Sequence, residues 1–334
     1  MRVAVTGGGG RLGCALVRAL LREGHAVRVL EPAGRGLPRS LQGLDVEMVQ
    51  GSVLETADVA RLVQNAQCVF HLAAKVSIEP DRDGSMQAVN VGGTRVVAET
   101  CAVRGLRMVH CSSHSALQHQ PLAQPLDETR PLNMRGRSDY SRSKAEAETL
   151  VATLVRERGL DAVVCMPGNM IGPEDYEPSI FGRALLDLYH RRIPVMMEVV
   201  SDYVDARDVA AGFVAAATRG RRGERYLLTG EVLDMRQFLA LWEEVSGVPM
   251  PRTVLPLWVG WASLPLALAA AKLSGQAPKF NAGVLRQAVL NRVVRNDKAR
   301  QELGFDPRPP RESLTDALEF MRAQGWLSPQ AAAA

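Results

Sequence analysis

Cysteine is scarce in this chain of 334 residues: there are five, at positions 14, 68, 101, 111 and 165. They have no paired spacing and mostly sit inside apolar runs. That excludes a disulfide framework and a cysteine-ligated metal, and each reads as a small buried hydrophobe in a reducing compartment. No metal site is expected elsewhere. A basic run with interleaved aromatics, the footprint of a nucleic-acid binder, is also missing. The formal charge of +4 comes from scattered arginines, so nucleic acid is not expected as a partner. There are no internal repeats. The chain opens directly on a strand pattern rather than a secretory leader, and a cytoplasmic location is the expectation. What remains is 46% hydrophobic and 23% charged, ordinary for a globular enzyme long enough to bury a large core and carry an appended lobe.

The first thirteen residues are the most informative ones present. A short apolar run, Val3 to Thr6, ends in a glycine cluster, and a helical pattern follows at once. Gly7, Gly10 and Gly13 stand three apart, on a tight strand-to-helix turn. There a diphosphate can approach bare backbone at a helix N-terminus. A Cβ would block the turn, the ligand or the helix–sheet contact. The next apolar run, Ala26 to Leu30, is followed by Glu31. A carboxylate at that strand end accepts hydrogen bonds from the ribose hydroxyls and repels a 2′-phosphate, so NAD is expected over NADP. Arg35 and Arg39 stand close by and would hold a 2′-phosphate if the loop folded back, so NADP is not excluded.

A second constellation is Tyr140-Ser-Arg-Ser-Lys144. A spacing of four puts Tyr140 and Lys144 on one helix face, a turn apart. A cation there lowers the phenol pKa from about 10 toward working pH. Tyr140 then suits a general acid or base for an alcohol/ketone pair. The run 107–111 closes on Ser112 and Ser113, and a hydroxyl at the carboxyl end of a parallel strand faces the ligand crevice.

Strand-like runs alternate with helical ones: 3–6, 26–30, 46–49, 68–72, 107–111, 162–166 and 225–228, with helices such as 92–104 and 140–158 between them. This predicts an α/β fold, a Rossmann-type doubly wound parallel sheet. The alternation breaks after Pro173 and again after Gly230. The expected division is residues 1–172, with about 203–230, as the NAD-binding domain. Residues 173–202 and 231–330 form a smaller, mostly helical substrate lobe.

At this point the chain resembles the extended short-chain dehydrogenase/reductase family. The quoted motifs are Thr6 to Gly13, His71-Leu-Ala-Ala74, Asn90-Val-Gly-Gly-Thr94, the Ser113/Tyr140/Lys144 trio, Pro167-Gly-Asn-Met-Ile-Gly172-Pro173 and Tyr203-Val-Asp-Ala-Arg-Asp208. The resemblance implies catalytic roles for Ser113, Tyr140 and Lys144. It implies cofactor contacts at Gly7, Gly10, Arg11, Leu12, Gly13, Glu31, Ser52, Val53, Leu72, Ala73, Ala74, Asn90, Pro167, Asn169 and Met170, besides Tyr140 and Lys144. Substrate contacts follow at Lys75, Ser113, Ser115, Tyr140 and Asn169. It also implies a homodimer paired through the helices over 92–104 and 140–158. One departure is Ser52, where the family usually has an acidic residue. Another is Ser201-Asp202-Tyr203, where sugar-nucleotide epimerases carry an arginine that neutralises a diphosphate.

Residues 253–271 contain no charged side chain. The first reading is a buried or pocket-lining helix pair, the second a peripheral membrane contact, and the third a span interrupted by Pro256 and Pro265. With Ser201, the stretch points to a small-molecule substrate that is bulky and apolar. The expected activity is then interconversion of a secondary alcohol and a ketone with NAD, in the character of 3β-hydroxysteroid dehydrogenases and dihydroflavonol reductases. Nucleotide-sugar epimerisation or dehydration is one alternative, and a non-catalytic dinucleotide sensor is another. For His114 and His119, which follow the catalytic strand, contact with a substrate oxygen is one reading and a solvated loop position the more ordinary one.

Overall fold

The structure, a computed structural model, describes residues 1–34, 36–136, 138–274, 285 and 293–328, excluding the side chains of 267–274. Arg35, considered above for a 2′-phosphate, lies outside the described residues.

The seven strand-like runs all form one parallel sheet. They are β1 (Arg2–Thr6), β2 (Ala26–Glu31), β3 (Val46–Gln50), β4 (Cys68–His71), β5 (Arg107–Cys111), β6 (Ala162–Pro167) and β10 (Arg225–Leu228), in the order β10-β6-β5-β4-β1-β2-β3. Helices cover both faces, so β1, β4 and β6 are buried almost end to end and read as continuous apolar runs rather than alternating ones. The order reverses between β1 and β4. Such a switch point opens a crevice outside the carboxyl ends of the strands, where α/β sheets bind their ligands.

On one face, α1 (Arg11–Arg22) buries Leu12, Leu16 and Leu20. On the other lie α2 (Thr56–Leu62), α3 (Thr94–Arg104) and α4 (Asp139–Arg158). A π-helical turn, Ala88–Gly93, leads into α3, and Asn90 sits on it. Such bulges are frequent at functional sites. Ser138 caps α4, its side chain accepting from the Ser141 N–H. That fixes where the helix starts, and hence where Tyr140 and Lys144 point.

A second, three-stranded sheet joins β7 (Asn169–Ile171), β9 (Val200–Asp205) and β11 (Glu231–Asp234), and β8 (Val195–Met197) pairs with β12 (Thr253–Leu255). α6 (Ala206–Arg219) and α9 (Asp297–Leu303) pack with α1 against the main sheet, while around the smaller sheets stand α5 (Ile180–Tyr189), α7 (Met235–Ser246), α8 (Leu257–Ser274) and α10 (Pro310–Ala323). A separate apolar core holds this region, with Leu185, Tyr203, Phe238, Trp242, Leu314 and Leu318. Tyr203 stacks on Phe238 at 4.8 Å between ring centroids, a geometry that adds to burial.

Two expectations change here. The stretch 253–271, expected as a buried or pocket-lining helix pair, is not a pair, although its Trp261 lines a cavity. It begins as β12 and continues as the single helix α8, whose Trp258 and Leu266 are exposed. Segment 297–305, expected in the lobe, packs through Ala299, Leu303 and Phe305 into the core that holds α1 and α6. Among the described residues no helix is long and apolar enough to cross a membrane.

Candidate active site

The glycine turn is built as its chemistry requires. Gly7 has φ +72°, and a Cβ on it would stand 2.8 Å from the Ala73 amide nitrogen. A Cβ on Gly13 would stand 2.1 Å from the Gly7 carbonyl oxygen, inside any permitted contact. Gly10 is the N-cap of α1 and offers no side-chain cap. The first-turn amides are thereby left for an anionic ligand, with the positive end of the helix dipole behind them. Glu31 is buried, and its Oε1 accepts from the Gly9 N–H at 2.8 Å. The carboxylate expected at the ribose therefore also braces the turn. A dinucleotide fits this cradle: bare backbone for the diphosphate and a carboxylate at the next strand end.

A cavity of about 1520 Å³ runs from this turn across the sheet end. Gly7, Gly10, Arg11, Leu12 and Gly13 line it at one end, and Leu72, Ala74, Pro167, Asn169 and Met170 along its length. Ser113, Ser115, Tyr140 and Lys144 face the same cavity. The trio that the family resemblance implies is therefore brought together beside the cofactor cradle.

Ser113 ends β5 and caps the short turn His114–Ala116. Its Oγ accepts from the Ser115 N–H at 3.2 Å and lies 3.0 Å from the Ser115 Oγ. Lys144 is buried, and its Nζ donates to the Cys111 carbonyl at 2.7 Å. Burial pushes its pKa down. Burial likewise pushes the Tyr140 phenol up, while a hydrogen bond with Ser113 pulls it the other way. Without added positive charge the phenol is thus a proton donor.

Other expected residues are placed differently. Arg11 lines the cavity, and its guanidinium also braces the fold. It donates to the carbonyls of Met170 (3.0 Å) and Gly172 (2.7 Å) and approaches Asp175 at 3.7 Å, tying the glycine turn to β7. Lys75 does not reach the cavity: its Nζ pairs with Ser85 and lies 3.7 Å from Asp83. Its backbone is held by Asn90, whose amide accepts from the Lys75 N–H and donates to the Ser143 Oγ at 2.9 Å. Asn90 thus acts as a clamp on α4 rather than as a cavity wall. Ala73 donates its N–H to Thr6 Oγ1 at 3.2 Å. Ser52 and Val53 also lie off the cavity. Ser52 donates its N–H to Asp58 at 2.9 Å, and Val53 packs under Gly93.

The sequence reading missed a polar cluster. His114 and His119 are not solvated. His114 is buried, and both rings line the cavity, edge to face at 5.5 Å. The His114 Nδ1 is 3.7 Å from a carboxylate oxygen of buried Asp202. Burial holds both histidines at about 4 and raises Asp202 to about 6. A second missed feature is His71, between Thr6 (2.8 Å) and Thr94 (3.0 Å), pulled down to about 3 by burial and therefore neutral. No local pattern announces either cluster, because each joins residues from distant segments.

The NAD dependent epimerase/dehydratase family model matches residues 3–229. The chain belongs to that family. NAD is accordingly its cofactor, and the protein is an NAD-dependent enzyme, an oxidoreductase or an epimerase/dehydratase. It is 36% identical over 335 residues to sterol demethylase protein B of Methylococcus capsulatus, covering 98% of this chain and 100% of that protein. It is 32% identical to the 4-hydroxy-2-methyl-3-oxo-4-farnesyl-3,4-dihydroquinoline-1-oxide ketoreductase of Stigmatella aurantiaca, covering 95% of this chain and 96% of that one. Among solved structures, the crystal structure of gox2253 superposes with a TM-score of 0.85 at 29% identity, covering 97% and 98% of the two chains.

Proposed function

We propose that this protein interconverts a secondary alcohol and a ketone on a bulky, apolar substrate. The observation that carries the reading is the cavity wall beyond the trio. Met170, Ile180, Phe181, Ala184, Trp261 and Leu285 form its apolar part, beside Gln118, Glu177 and Arg183, and Ser201 holds the Asn169 amide where an epimerase would place an arginine. Burying a large apolar ligand there contributes about 25 cal/mol per Å². The printed names of a sterol demethylase protein and a farnesyl-quinoline ketoreductase among its relatives point the same way.

NAD, when bound, supplies the hydride acceptor or donor. The chain supplies the proton chemistry. In ketone reduction Tyr140 donates its phenolic proton to the nascent alkoxide; burial keeps that proton on the phenol until a cation offsets it. Ser113 holds the reacting oxygen and stabilises the charge that develops on it. Lys144, drawn off the Cys111 carbonyl, serves as the cation that steadies the Tyr140 phenolate. In the oxidative direction the same phenolate takes the alcohol proton.

A second reading, nucleotide-sugar epimerisation, rests on Arg135 and Arg183, which line the same cavity and suit a diphosphate. Calorimetry with steroid or long-chain ketones and with UDP-sugars separates the two. The proposal expects binding of the apolar set. Salt-sensitive binding of UDP-sugars alone overturns it.

A further inference from the structure

The mouth of the cavity is ringed by apolar side chains that face solvent. Val76 is 62% exposed, Ile180 45% and Trp261 39%, and all three line the cavity. On the same helix as Trp261, beyond the rim, Trp258 is 70% and Leu266 75% exposed. Exposed tryptophans beside leucines on a charge-free helix face are suited to the boundary between water and acyl chains, where an amphipathic ring is satisfied at both ends.

The surrounding sequence has one sign of charge. From 251 to 296 the sequence has no Asp or Glu and six cations, of which Arg252 pairs with Glu243 at 2.8 Å, while the side chains of Lys272, Lys279, Arg286 and Arg292 lie outside the described residues. At the rim itself stand Arg135 and Arg183. Neither forms an ion pair among the described residues. This rim, with the cations Arg135 and Arg183 and the carboxylate of Glu177 beside exposed tryptophans, complements an anionic lipid surface. It does not complement a second copy of itself, which would oppose like charge to like in a two-fold contact.

We propose that the cavity mouth docks on an anionic lipid bilayer, with α8 lying in the interface plane and no segment crossing it. Docking stands on the rim and the charge distribution alone. The use of docking, delivery of an apolar substrate from lipid into the cavity, rests on the function proposed above.

The test uses the full chain, without substrate or NAD. Sedimentation with phosphatidylcholine vesicles, and with vesicles that also contain phosphatidylglycerol, measures partitioning. The expected result is binding to the anionic vesicles, a blue shift of tryptophan emission, and release as salt rises. A Trp258→Ser/Leu266→Ser double variant should lower the partition coefficient by about tenfold or more. Both side chains lie outside the cavity lining, so turnover of a water-soluble ketone by the variant should match the parent. Circular dichroism checks that the variant is folded. The proposal is overturned by no binding to either vesicle, by equal binding to both, or by unchanged partitioning of the folded variant. An oligomer that the double variant abolishes also overturns it, since the face would then be a contact between copies. If docking holds while only UDP-sugars are turned over, the functional reading falls and the surface stands.

Discussion

The two ends of the cavity differ in how they are assembled. At the cofactor end, Gly7 to Gly13, Glu31 and Leu72 to Ala74 come from the ends of neighbouring strands, and each is fixed by a local rule: a positive φ, a Cβ clash, a strand terminus. At the substrate end, Ile180, Phe181, Trp261 and Leu285 are gathered from segments far apart, with no backbone constraint in common. The first end accommodates one cofactor and tolerates little change. The second is a packing surface, and its shape is what selects a ligand.

The largest expected effect lies at the junction of the two ends. Tyr140→Phe keeps the ring and removes the proton carrier. Steady-state kinetics should show turnover falling by roughly two to four orders of magnitude with NAD still bound. Parent-like turnover would remove Tyr140 from the chemistry. At the cofactor end, Gly13→Ala forces a methyl against the Gly7 carbonyl. It should destabilise the protein by about 1–3 kcal/mol in thermal unfolding and abolish NAD binding in titration. Retained affinity would show that the turn adapts and that the contrast with the substrate end is false.

At the substrate end the expected effect is smaller and depends on pH. Asp202 binds its proton more tightly in the folded protein, at about 6, than in the unfolded chain. Burying the carboxylate therefore costs nothing below about pH 4, and the cost grows until about pH 6 and then stays constant. Asp202→Asn should stabilise the fold above pH 6, by on the order of 2 kcal/mol, with the gain lost near pH 4. His114 and His119 titrate in the opposite sense and are common to both proteins. A pH-independent difference in denaturant midpoints would contradict the buried-carboxylate account. Smallest is cofactor choice: Glu31 should give NAD about a tenfold tighter binding than NADP. Equal or tighter NADP binding would shift attention to Arg39.

Legibility followed the same divide. The seven sheet strands, the glycine turn, Ser113 and the Tyr140/Lys144 pair were readable because each rests on periodicity or fixed spacing within a single element. The ends of the Arg11 and Lys75 side chains were not legible, because the backbone position does not say where a long side chain ends. One reaches β7, the other Asp83. The burial of His114, His119 and Asp202 was invisible, since β5 and β9 meet only through the tertiary fold. Residues 253–271 were apolar enough to be read first as a buried or pocket-lining helix pair, and Trp261 does line the cavity while Trp258 and Leu266 face solvent. Their exposure follows from position, at the cavity rim rather than between layers.

The central claim is net redox turnover of an apolar alcohol at the Ser113–Tyr140–Lys144 site. The most direct measurement is NADH absorbance while the purified protein, with excess NAD, is offered a hydroxysteroid panel and a UDP-sugar panel. The account predicts steady accumulation of NADH with hydroxysteroids, abolished in Tyr140→Phe. Interconversion of UDP-sugars without NADH release, together with no response to the hydroxysteroids, would contradict it.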